Sequence, residues 1–244
     1  MKEDAETLEK LDPIFAAKQF LENYYPNCKG AVLAGSVVRG EATDTSDLDI
    51  VIFDEDVKYS YRESFIKFGW PIEIFVHNLS SYQTFFELDY HAAKPSMQRM
   101  IVEGMVLKDD EFIQQIKKEA MEILTKGPEE WSLDRIRIKR YFLSDVLYDF
   151  IGSKNREEEI FIANTLSLLL HEFYLRVNKQ WIGTSKWIVR ALKQYDANFT
   201  NRFVEAFDTY YKTGDKEMII DLTDEVLEPY EGRLFDGFSV GKQE

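Results

Sequence analysis

One cysteine, three histidines and a deficit of basic residues mark this 244-residue chain, and each scarcity removes a class of protein. Cys28 on its own excludes an internal disulfide framework and any cysteine-based zinc finger, and it fits a reducing compartment. His77, His91 and His171 leave little for metal chemistry built on nitrogen ligands. Lys and Arg total 30 against 44 Asp and Glu, a formal charge of −14, which argues against a general binder of the DNA or RNA phosphate backbone. No apolar run approaches the roughly 18 residues of a membrane helix, and the stretch from Met1 to Asp12 is charged where a signal peptide needs an apolar core. The expectation is therefore a soluble cytoplasmic protein with neither membrane nor long nucleic acid as partner.

What is abundant is core material. Hydrophobic residues make up 45% and aromatic residues 14% of the chain, enough for one large domain or two modest ones. Asp12-Pro13 followed by Ile14, Phe15, Phe20, Leu21 and Tyr24 predicts a capped amphipathic helix ending before Pro26. Ala31 to Ala34, Asp47 to Phe53 and Pro71 to His77 read as strands, rich in β-branched residues. Tyr59 to Phe68 between the last two reads as helical at best, so strand, helix and strand alternate. Helical signals follow from Ser80 or Ser81 to about Glu103, then a short Met105-Val106-Leu107 run and a helix from about Asp110 to Thr125. Gly127-Pro128 disfavours continuing that helix, so residues 1–127 and 128–244 are expected to form separate domains. Beyond the boundary lie amphipathic helical stretches near 133–151, 157–178, 186–195, 200–212 and 215–227. The expected class is α+β, a small mixed sheet flanked by helices and followed by an all-helical bundle.

Chemistry concentrates between Leu33 and Ile50. A strand ending in Gly35-Ser36 brings backbone N–H groups and a hydroxyl close to a ligand with no β-carbon in the way, which is how proteins cradle phosphate oxygens. Asp47 and Asp49 are two apart on a strand and leave the same face. Such like charges repel, and a divalent cation relieves them. Oxygen-only ligation favours Mg²⁺ or Mn²⁺ over zinc. Glu73, between Ile72 and Ile74, adds a third carboxylate that would be costly on a buried apolar face. Three carboxylates and a phosphate cradle suggest phosphoryl or nucleotidyl transfer.

Gly-Ser, ten residues, Asp-Leu-Asp on a strand and a later apolar-Glu-apolar strand resemble the signature of the DNA polymerase beta-type nucleotidyltransferase superfamily, over roughly residues 31–77. The pattern is most similar to small stand-alone bacterial members, among them the aminoglycoside and lincosamide nucleotidyltransferases with a helical C-terminal domain. Gly104-Met105-Val106-Leu107 with Asp109-Asp110, and Trp181-x-Gly-x-x-Lys186-Trp187, extend the likeness. The resemblance implies that Gly35 and Ser36 contact the β- and γ-phosphates of a nucleoside triphosphate, with Arg39 placed to meet phosphate and Ser46 grouped with the nucleotide-binding residues. It implies that Asp47 and Asp49 hold Mg²⁺ (or Mn²⁺) and that Glu73 completes the metal site or acts as general base, with Glu103 a second candidate base and Asp89 a third. The implied reaction transfers a nucleoside monophosphate, AMP from ATP before others, to a hydroxyl of a small-molecule acceptor and releases pyrophosphate. The site is expected in the cleft between the two domains, and a homodimer fits the resemblance. The alternatives are AMP transfer to a partner protein and a catalytically silent nucleotide-binding regulatory module.

Other features read as structural. His171-Glu172 begins like a zinc-protease motif, but position 175 is Leu, so the second histidine is missing. Tyr141, Phe142, Tyr148 and Phe150 read as core rather than a cofactor box. Trp181 and Trp187 read first as helix-packing residues and second as a wall for a ring-shaped acceptor. Glu157-Glu158-Glu159 reads as a solvated face.

Overall fold

The computed structural model describes residues 10–109 and 111–242. The first nine residues of the charged N-terminal stretch, and Asp110, lie outside the described residues. The chain divides into two compact units, with the division between Lys126 and Gly127.

The first unit is a five-stranded mixed sheet with helices on both faces. Helix α1 (Pro13–Tyr24) starts where Asp12 accepts a hydrogen bond from the Phe15 N–H at 3.0 Å, with Pro13 in the first turn, so cap and fixed φ act together. Strands β1 (Gly30–Ala34), β2 (Leu48–Phe53), β3 (Tyr61–Lys67), β4 (Trp70–His77) and β5 (Met105–Asp109) lie in the order β3-β4-β2-β1-β5. Strands β2 and β4 run parallel and the other neighbours antiparallel.

Alternation along the strands sorts the apolar residues. Leu33, Leu48, Ile50, Ile52, Ile72, Ile74 and Val76 pack with Ala16, Ala17, Phe20 and Leu21 of α1. Val32, Val51 and Phe53 point the other way, into a second core with residues of α2 (Ser81–His91), α3 (Ser96–Glu103) and α4 (Ile113–Lys126). The central strands are buried on both faces, and this accounts for their near-continuous apolar sequences.

The stretch 59–68 departs from the helical expectation. It contains β3, which pairs with β4 from Tyr61↔Val76 to Lys67↔Trp70. Phe68 (φ +56°) and Gly69 (φ +76°) form the two-residue connection, and two consecutive positive φ angles match the right-handed twist of a tight hairpin. Strand β3 is an edge with mostly exposed side chains, so it lacks the apolar alternation that marks a strand in sequence. The helical signal from 80 to 103 resolves into α2 and α3, broken at Lys94-Pro95, because proline disfavours helical backbone at the preceding residue. The Met105-Val106-Leu107 run lies within the second edge strand, β5.

The second unit consists, among the described residues, of α5 (Leu133–Gly152), α6 (Arg156–Val177), α7 (Trp187–Tyr195), α8 (Ala197–Thr213), α9 (Glu217–Leu227) and a 3-10 turn (Glu228–Tyr230). By length and composition α6 is long and apolar enough to cross a membrane, which departs from the expectation that no stretch of the chain reaches that length. In this fold its Ala163, Leu166, Leu170 and Phe173 build the helical core with Leu143, Leu147, Phe203 and Tyr210.

The aromatic stripe of α5 is only partly core. Phe150 is buried, but Phe142 and Tyr148 are exposed, and Tyr141 stacks on Phe238 with ring centroids 3.8 Å apart. His171 is buried with its ring nitrogens 3.2 Å from the carbonyl oxygens of Ser167 and Gly183, a packing role that ties α6 to the following loop. Trp181 is buried.

Candidate active site

Sheet register brings the acidic residues together. Ala34, the last residue of β1, pairs with Asp49 on β2. Asp49 pairs with Glu73 on β4, and Glu73 with Ser64 on β3. Residues directly opposite share a face, so Ser64, Glu73 and Asp49 form a row across three strands. Asp47 precedes β2 by one residue and is two before Asp49. Asp47, Asp49 and Glu73 each offer an oxygen within 4.8 Å of the others, and all three are partly buried. The face that carries Asp49 and Glu73 is the one that buries Val51 and Phe53 further along, so the carboxylates stand at the end of an apolar surface.

Crowding has an electrostatic signature. Burial and the neighbouring charges of Asp47 and Glu73 push the Asp49 carboxyl up to about 6, against the opposing pull of Arg39 and Arg62. Three acids this close are a donor set for a divalent cation, and with carboxylate oxygens alone they suit a hard ion such as Mg²⁺ or Mn²⁺.

Gly35 explains the turn beside them. Its φ is +86°, and a β-carbon built there would lie 2.4 Å from Asp49 Oδ2. Only glycine meets both the left-handed backbone and the close approach of the carboxylate. Downstream, Ser36 Oγ donates to Ser46 Oγ at 2.9 Å, Ser46 Oγ also accepts from the Thr43 N–H at 2.8 Å, and Glu41 N–H donates to the Ser36 carbonyl at 2.9 Å. Ser36 and Ser46 therefore brace the two ends of the loop that joins the Gly-Ser turn to the acidic strand.

Arg39 leaves that loop toward two carboxylates. Its guanidinium lies 3.1 Å from Glu41 and 3.7 Å from Glu103, and Arg99 lies 3.9 Å from Glu103. Glu103 ends α3, which packs against β1, so it stands as an arginine-paired carboxylate outside the three-acid group. Asp89 stands at a helix start. Its Oδ2 accepts from the Met97 N–H at 2.8 Å in the first turn of α3, a use of a short acidic side chain that satisfies an otherwise orphan donor. His77, at the far end of β4 from Glu73, is buried and hydrogen-bonded to Ser60 at 3.1 Å, and desolvation lowers its pKa to about 4.

Two residues at the site escape sequence reasoning. Arg62 donates to Glu73 Oε2 at 2.5 Å, and Ser64 Oγ donates to Oε1 at 3.3 Å. Both lie on β3, and their i, i+2 spacing puts them on the carboxylate face once that stretch is known to be a strand.

Residues 16–144 match the profile of the nucleotidyltransferase domain family. No curated protein matches the chain. Among solved structures, the crystal structure of a nucleotidyltransferase-like protein from Exiguobacterium sibiricum 255-15 is similar, with 9% identity, a TM-score of 0.44, and coverage of 89% of this chain and 75% of that one. The family profile spans more than half of the chain, from α1 through the whole sheet into α5, and the chain therefore belongs to the nucleotidyltransferase domain family.

Proposed function

We propose that this nucleotidyltransferase moves AMP from ATP to a hydroxyl group of a small-molecule acceptor, with release of pyrophosphate, and that Asp47, Asp49 and Glu73 are its metal-holding residues. The observation that carries the reading is the group of three carboxylates from β2, its approach and β4, within 4.8 Å of one another, beside a glycine that no other residue can replace without striking Asp49.

A bound Mg²⁺ or Mn²⁺ would supply charge neutralisation of the phosphates and alignment of the attacking oxygen. The protein's own groups divide the remaining work. Gly35 and Ser36 bring backbone N–H groups to the β- and γ-phosphates, and Ser46 fixes that loop through the Ser36 hydroxyl. Arg39 faces the negative charge that builds on the departing pyrophosphate, a stabilisation of the kind that dominates phosphoryl-group transfer. Glu73 completes the ligand set or takes the hydroxyl proton as general base. Glu103, paired with Arg39 and Arg99, positions Arg39. A formal charge of −14 favours a cationic small molecule over a polynucleotide as acceptor. The resemblance of the motif from Gly35 to Glu73 to that of the aminoglycoside and lincosamide nucleotidyltransferases is a second reason for proposing this acceptor class.

The test is a screen of radiolabelled ATP and other nucleoside triphosphates with Mg²⁺ against hydroxyl-bearing cationic acceptors, reading pyrophosphate release and the fate of the label. Label on a small molecule, with ATP preferred, supports the reading. Label retained on a polypeptide overturns the acceptor class, and Mg²⁺-dependent ATP binding without pyrophosphate release from any acceptor overturns the transfer reaction.

A further inference from the structure

Both oxygens of Glu73 are already engaged by the protein, Oε2 by Arg62 at 2.5 Å and Oε1 by Ser64 at 3.3 Å. One of those oxygens also belongs to the three-acid group. The carboxylate proposed to complete a cation site is thus held by a cation supplied by the protein. Arg62 is suited to let go: it sits on an edge strand, its side chain is 62% exposed while that of Glu73 is 18% exposed, and beyond Glu73 it lies over the Phe75 ring, 5.0 Å from the guanidinium carbon, and acts on Asp49 through charge alone. An exposed arginine pair of this kind is weak enough to exchange for a divalent ion, whereas a buried one would not be.

We propose that Arg62 is a positioning residue that acts through Glu73, serving as an internal counter-ion that competes with the divalent cation for the third carboxylate. The proposal rests on the metal-holding role assigned to Asp47, Asp49 and Glu73. Before cation entry Arg62 holds Glu73 at the sheet face and offsets one of three crowded negative charges. Cation entry frees the guanidinium at the edge of the three-acid group. The consequence is a site that binds a bare cation weakly and takes it up best together with the nucleotide, whose phosphates give the displaced arginine a new partner.

Calorimetric titration of the full chain with Mn²⁺ alone, without nucleotide, reads the competition directly. Arg62→Gln is expected to bind Mn²⁺ about two- to fivefold more tightly than wild type, the range set by an exposed ion pair. Arg62→Lys, which keeps the charge, should stay near wild type. Lys67→Gln removes an equal charge from the same strand, at a residue whose ammonium lies over Tyr24, and should leave the affinity unchanged. Arg62→Gln should also raise the KM for ATP in the turnover assay while its Mn²⁺ affinity rises, two movements of opposite sign that a merely structural role would not produce. Mn²⁺ bound by wild type and equally or more weakly by Arg62→Gln overturns the counter-ion role and leaves the metal-site reading intact. Equal tightening by Lys67→Gln also overturns it, since net charge alone then accounts for the effect. Absence of Mn²⁺ binding in wild type and Arg62→Gln alike overturns both.

Discussion

Replacing Asp49 with Asn should make the metal-free protein more stable while abolishing turnover, an uncommon pairing of signs that follows from the crowding of acids at the site. The Asp49 carboxyl is pushed from 3.8 to about 6 by burial, Asp47 and Glu73, so the folded state disfavours its ionised form. Between pH 3.8 and 6 the unfolded chain has released this proton and the folded chain still holds it. The penalty on folding therefore grows across that window and is complete above about pH 6. A difference of about 2 units corresponds to about 3 kcal/mol, and solvent screening of a partly exposed group reduces this to roughly 1–2 kcal/mol. Asparagine is nearly isosteric and carries no charge, so Asp49→Asn should recover that amount at about pH 7.5 in the presence of a chelator. At about 2–4 °C per kcal/mol for a chain of this size, the melting temperature should rise by roughly 2–8 °C. Denaturant unfolding at about pH 7.5 and about pH 4 would show the gain at the higher pH and its loss at the lower. An Asp49→Asn protein that melts below wild type at the higher pH, or that turns over at near wild-type rate, would refute the electrostatic reasoning.

Gly35→Ala combines a positive φ with a β-carbon 2.4 Å from Asp49 Oδ2. Its backbone cost should be about 1–2 kcal/mol, but displacement of the carboxylate should lower turnover by about 100-fold or more, and a variant with unchanged kcat/KM would contradict the role given to this turn. His77, buried with its pKa lowered from 6.5 to about 4, contributes a penalty of the opposite pH sense: neutral in the fold, it must bind a proton on unfolding in acid. Stability from this source is fully present above the unfolded value and is lost as pH falls through that window. The loss approaches about 3 kcal/mol. In denaturant titrations at about pH 7 and about pH 4, His77→Gln should flatten the pH dependence by about that amount, and identical slopes for the two proteins would exclude His77 as its source.

Much of this fold is legible in the sequence because its determinants are local. The Asp12-Pro13 start of α1, the β-branched runs of β2 and β4, and the periodic apolar faces of the C-terminal helices each reflect burial that repeats at the period of the element. The same holds for Asp49 and Glu73, since charge inside an otherwise buried strand stands out against its neighbours, whereas Asp47 lies one residue before β2 and is marked by its spacing from Asp49. Strand β3 is different. Tyr61 to Lys67 is an exposed edge, and what makes it a strand is pairing with β4 and a two-residue turn at Phe68-Gly69, a tertiary cause that alternation does not record. Arg62 and Ser64 are hidden for that reason. Asp89 shows the converse limit: nothing local marks it as a cap, and its bond to the Met97 amide depends on where α3 starts. The partial exposure of the α5 aromatics likewise depends on where Phe238 falls, far away in sequence.

The most direct test of the central claim is the number of Mn²⁺ ions bound per chain, read from the free-Mn²⁺ signal in electron paramagnetic resonance during titration of wild type and of an Asp47→Asn, Asp49→Asn, Glu73→Gln triple variant. Joint ligation by these three side chains requires one site in the wild-type protein and its loss in the triple variant. Unchanged Mn²⁺ binding by a folded triple variant would place the ion elsewhere and contradict the account.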